Sequence, residues 1–216
     1  MPPEERLVAR FAAEPPQDPL PYGRWADTLQ AEFLSAALRV DTEGAEIGEA
    51  GSMTWFPDRT WAGRTYVPVS TRTTEGYDLY GYVSFTPGDA DTEPGEFYSW
   101  ADFTDETSDR NPDWKMDLCE EVIGGWRGEN GEVAAMTLVW GVPIVRAGAA
   151  ATAELAGLTV DQCKVAENRF TLLAADAYRG DYLEIALYDA SGSELARESL
   201  YEDDGEDEDE DEDDGG

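Results

Sequence analysis

From residue 53 onward, turn-forming residues interrupt the chain every ten or so positions, and the segments between them alternate apolar with polar side chains. A period of two sends successive side chains to opposite faces of a pleated strand, so each segment offers one face to a core and one to solvent. Many short strands with frequent turns specify a sandwich or barrel and leave little room for crossover helices.

The aromatic and β-branched stretches 53–56, 65–73 and 77–85 open this series, with Thr74-Glu75-Gly76 as the hairpin loop between the last two. Within 77–85 the odd positions Tyr77, Leu79, Gly81, Val83 and Phe85 share one face, while Tyr80 and Tyr82 point the other way, so both faces are expected to be covered. Stretches 114–126 and 132–145 flank Gly128-Glu129-Asn130-Gly131, whose Asn-Gly favours a tight reversal. Residues 149–160 are ambiguous, because their alanines favour helix while Gly157 and Thr159 do not. Segments 170–178, 182–189 and 194–201 close the series, with Ser191-Gly192 as the last turn. Between these strands, 87–113 is predicted to be a long, acidic, largely irregular loop, in which Phe97, Tyr98, Trp100 and Phe103 point to a short strand or local packing.

The N-terminal portion has the helical period instead. Leu7, Val8, Phe11 and Ala12 predict a helix over 4–13, and Pro15, Pro16, Pro19 and Pro21 end it. Trp25, Leu29, Phe33, Ala36 and Val40 mark the core face of a second helix, with Leu34 and Leu38 beside it. The expected architecture is therefore mainly β: an antiparallel β-sandwich or barrel-like core over 45–201, two N-terminal helices within 1–44 packed on it, and a tail over 202–216. Twelve of the fifteen tail residues are Asp or Glu and the others are Gly, so the tail is expected to be disordered and extended by its own repulsion.

Acidity also pervades the rest of the chain. The sequence holds 48 acidic and 15 basic residues, a formal charge of −33, and 36 of those acids precede the tail. Only Lys115 and Lys164 accompany thirteen arginines. Such a surface stays hydrated in concentrated salt, which points to halophilic adaptation, and it also suits a partner with a basic surface. Direct nucleic-acid binding is not expected, because no basic stripe exists to displace counterions from phosphates. The longest apolar stretch is broken by Thr137, Gly141 and Pro143, so no membrane span is expected. The first ten residues lack the pattern of a secretory signal, and the expected localisation is cytoplasmic.

Histidine is absent, which excludes imidazole as base or metal ligand and with it a Ser-His-Asp triad. Cys119 and Cys163 are too few for a zinc site, and the acids beside Cys119 should make its thiol less acidic. No phosphate-binding glycine loop is present. Carboxylates are the one reactive group in abundance, so a carboxylate-dependent hydrolase of the glycosidase type remains chemically open, favoured if Tyr and Trp rings line a groove between sheets. No cofactor is expected. Calcium is the one candidate, through the alternating acids of the long loop followed by Asp102, Asp105, Glu106 and Asp109, although these do not match an EF-hand.

The expected function is a non-catalytic macromolecule-binding or adaptor protein, whose binding residues are Asp89, Asp91, Glu93 and Asp105 of the long loop and Tyr80 and Tyr82 of the sheet face, with another protein as partner. Two alternatives stand beside it. One is a polyanion that mimics DNA or acts as a chaperone on the basic surfaces of nucleic-acid-binding proteins, with Asp78, Glu184 and Glu194 as candidates for a solvent-facing row. The other is the carboxylate-dependent hydrolase.

Overall fold

The computed structural model describes residues 25–88, 93–127, 133–178 and 180–201, and within them one helix and twelve strands form three antiparallel sheets. In the first sheet, β1 (Thr54–Trp55), β3 (Arg64–Arg72), β4 (Asp78–Thr86) and β5 (Gly95–Thr104) lie in that order, and β2 (Arg59–Trp61) also pairs with β3. The second runs β10 (Phe170–Asp176), β7 (Val133–Pro143), β6 (Met116–Arg127). The third runs β12 (Glu194–Ser199), β11 (Leu183–Tyr188), β8 (Ala150–Leu155), β9 (Leu158–Lys164). The expected mainly β, antiparallel core is present, and its sheets are open rather than closed into a barrel.

Local chemistry explains the hairpins. Gly76 takes a positive φ of 87° and donates its N–H to the Thr73 carbonyl at 3.1 Å, so the chain reverses where the sequence places the turn between β3 and β4. The ambiguous alanine-rich stretch is the β8–β9 hairpin. Ala156 and Gly157 both have positive φ, 54° and 73°, which matches the twist of the flanking strands, while the small side chains of Ala151 and Ala153 pack into the core. The predicted loop 87–113 contains the ten-residue β5; among its described residues, 87, 88, 93 and 94 before that strand and the stretch from Asp105 after it remain irregular.

Two N-terminal helices were expected, and the described residues hold one, α1 (Ala26–Ala37). The expected helix over 4–13 and the tail over 202–216 lie outside the described residues. Helix α1 buries Leu29, Phe33 and Ala36 and packs on β4 and β5, and Leu29 and Phe33 share a core with Val69 of β3 and with Leu79 and Val83 of β4. Full burial of Leu29 or Phe33 is worth about 1.5–3 kcal/mol each. The stripe is narrower than predicted, since Leu38 is 89% exposed beyond the end of the helix.

The first sheet is therefore covered on both faces. Odd positions of β4 face α1, whereas Tyr80 and Tyr82 join the larger core with Trp140, Leu138 and Met136 of β7 and with residues of the third sheet. A buried ion pair fastens the three sheets together. Arg59 Nη2 of β2 donates to both oxygens of Asp161 on β9 at 2.7 and 2.6 Å, and Asp161 also accepts the Leu173 N–H of β10 at 2.8 Å.

Candidate functional site: a cleft between the first and second sheets

Antiparallel register decides which side chains share the face of the first sheet that looks toward β6 and β7. Opposed residues lie on the same side, so Arg72 with Asp78 and Ser70 with Tyr80 form successive rows across β3 and β4. On the second sheet the same rule pairs Asp117 with Val142 and Cys119 with Trp140. Where these faces approach, they leave a cleft of about 380 Å³, also bounded by Phe56, by Trp114 and by the Asp105–Lys115 connection through Glu106 and Ser108.

Its charges are unevenly partnered. Arg72 donates Nη1 to Asp78 Oδ1 at 2.9 Å and lies 3.6 Å from Asp109. Among the described residues no arginine forms an ion pair with Asp117: burial and the charge of Asp78 raise its carboxyl above the ordinary range, against the lowering effects of the Ser108 hydroxyl and Arg72. Partial burial, with Asp176 and Glu121 nearby, pushes Glu120 up to about 7, although this residue is exposed to solvent. Burial followed by the charge of Asp102 pushes the Tyr80 phenol up to about 12, so it remains a neutral hydroxyl. Cys119 is also held well above its ordinary value by burial and by Asp117 and Asp78, in the direction its acidic surroundings predict.

The apolar wall is aromatic. Tyr80 packs against Trp140 with ring centroids 6.3 Å apart and edge-on against Trp100 at 5.9 Å. Trp140 is fully buried, yet its indole N–H finds no hydrogen-bond partner among the described residues. A shallower depression of about 510 Å³ lies further along the same sheet face, around Tyr66, Tyr82 and Tyr98. Its one cation, Arg64, is already engaged by the Glu96 carbonyl at 2.6 Å and by Ser84.

Of the residues singled out in the sequence, Tyr80 lines the cleft. Tyr82 is 4% exposed and stacks on Trp100, so it acts mainly as core. Glu93 is exposed ahead of β5, and Asp105 is exposed and ion-paired with Arg110 at 2.8 Å. Asp89 and Asp91 lie outside the described residues. Among the described residues no group of three His, Cys, Asp or Glu side chains could hold a metal, and the loop acids instead find local partners: Asp102 accepts the Phe103 N–H and Asp109 sits beside Arg72. No described helix is long and apolar enough to cross a membrane. Of the residues that build the cleft, Arg72, Asp117, Glu120 and Trp140 were not assigned to a site from sequence, and Asp78 was named only for a solvent-facing acidic row. The available signal was β6 itself, where Asp117, Cys119 and Glu121 occupy alternate positions opposite the apolar Val142, Trp140 and Leu138.

No protein-family model matches the chain, and neither the curated proteins nor the solved structures yield a match.

Proposed function

We propose that the protein is a non-catalytic binding protein that recognises a group carried by a macromolecular partner in the cleft between the first and second sheets, while its acid excess governs which partners approach. The observation that carries this reading is the cleft itself: a concave site with aromatic walls and convergent polar groups, resting on strands of a rigid core. Pockets of this kind, with desolvated titratable groups, are the default location for recognition. The exposed loop residues Glu93 and Asp105 are not among the residues that line the cleft.

The test is a thermal-shift screen of the full chain against saccharides, amines, amino acids and nucleotides, repeated on Asp117→Asn. A ligand that binds only the native state at one hundred times its dissociation constant stabilises by about 2.7 kcal/mol. A class-selective rise in Tm that Asp117→Asn loses is the expected result. No rise with any class, or rises indifferent to that substitution, contradicts it.

One observation favours a second reading, the carboxylate-dependent hydrolase. Asp78 is paired with Arg72 while the neighbouring Asp117 is lifted, and two carboxyls in contrasting environments are the raw material of acid–base chemistry. Turnover of aryl glycosides abolished by both Asp78→Asn and Asp117→Asn would replace the binding reading. The polyanion reading has less support, because Asp78 belongs to the first sheet whereas Glu184 and Glu194 close on Arg197 in the third at 3.2 and 2.7 Å.

A further inference from the structure

We propose that the group bound in this cleft is a sugar ring, the ligand being a glycan; this rests on the binding reading above. Size, wall chemistry and hydrogen-bonding sense each narrow the choice. About 380 Å³ is near the lower end of small-molecule sites, which span about 300–1,000 Å³. Tyr80, half-buried in the cleft lining, supplies apolar ring surface for the C–H face of a sugar, with the fully buried Trp140 packed against it.

The polar groups then discriminate among ligands. Asp78 and Asp117 offer acceptors, Arg72 offers only donors, and Ser70 can do either. Trp140 adds a buried indole donor that still requires an acceptor. A ligand must therefore present donors and acceptors side by side, as vicinal hydroxyls do. Phosphates and other anions meet four acids, Asp78, Glu106, Asp117 and Glu120, against one guanidinium that Asp78 already occupies. Organic cations would suit the carboxylates, but they would leave the Trp140 N–H without an acceptor. A neutral polyol carries both donors and acceptors for these groups, and its rejection of isosteres lacking a hydroxyl would follow from stranded buried polar atoms.

The experiment follows the indole N–H resonances of the ¹⁵N-labelled full chain, with Trp140 assigned from Trp140→Phe, during titration with mono- and oligosaccharides of glucose, mannose, galactose, xylose and N-acetylglucosamine. Saturable movement of the Trp140 signal is expected with at least one series, with Trp126 unmoved and at least tenfold weaker binding in Asp117→Asn. Tighter binding by the oligosaccharide than by its monosaccharide identifies a glycan chain, and equal binding identifies a free sugar and overturns the glycan assignment. If all saccharides leave Trp140 unmoved while spermidine, arginine or a nucleotide moves it, the sugar proposal falls and the binding reading stands. A signal unmoved by every probe overturns both. The wild-type titration decides even if Asp117→Asn does not fold.

Discussion

At the scale of single residues, two buried or crowded charges lead to opposite kinds of prediction. Arg59 has a side chain only 1% exposed, and its Nε and Nη1 lack hydrogen-bond partners among the described residues, so Asp161 is its main compensation there. Removing one member of a buried pair strands the other, so Asp161→Ala should cost about 3–5 kcal/mol in urea unfolding. The double replacement Arg59→Met with Asp161→Leu should recover most of that loss, and equal damage in both variants would show that the pair is irreplaceable. Glu120 works through pH. Its folded-state pKa of about 7 exceeds the ordinary 4.5, so the folded state holds the proton more tightly. That contribution to stability is complete below pH 4.5 and disappears as pH rises through about 7. Thermal melts should therefore show Tm declining from about pH 5 to 8, and Glu120→Gln should flatten that decline. An unchanged slope in the variant would remove Glu120 as its source. Glu154 and Glu194 act in the opposite sense, because hydrogen bonds from Arg197 hold their carboxyls low and their contribution is lost as pH falls.

At the scale of elements, Gly141 shows what the pairing of β6, β7 and β10 demands. A Cβ at this position would stand 2.6 Å from the Asp117 carbonyl oxygen and 2.8 and 3.0 Å from atoms of Leu118 and Phe170. Gly141→Ala should therefore cost about 1–3 kcal/mol and displace Asp117, which a combined denaturation and ligand titration would detect together. An undisturbed variant would mean that β6 yields freely at this point. Phe33 tests a different interface. It is fully buried between α1 and the first sheet, and Phe33→Ala should cost about 3–5 kcal/mol while sparing the cleft on the opposite face. Most of these elements were legible because alternation and turn chemistry agree locally, as in 77–85. β5 was less so, since Pro94, Gly95 and the surrounding acids obscured the aromatic residues at 97, 98, 100 and 103. β8 was ambiguous because its alanines record close packing between strands, which helix propensity misreads.

At the scale of the whole molecule, the cleft was not legible because its parts are brought together by stacking of separate sheets. Asp78 and Asp117 belong to β4 and β6, and each reads in isolation as one more solvated acid among 36 before the tail. The charge excess itself was legible, and it makes a claim about solvent. Screening shortens the Debye length from about 10 Å at 0.1 M to about 3 Å at 1 M, so Tm should rise substantially between 0.1 and 2 M KCl. A flat response in protein lacking residues 202–216 would contradict a salt-adapted body. The central claim is that recognition belongs to the cleft and not to the acidic loop, and isothermal titration tests it most directly. The saccharide that moves the Trp140 resonance would be titrated into the wild type, into Asp117→Asn, and into a loop variant carrying Asp89→Asn, Asp91→Asn, Glu93→Gln and Asp105→Asn. The account predicts at least a tenfold loss of affinity in Asp117→Asn and wild-type affinity in the loop variant; loss confined to the loop variant would contradict it.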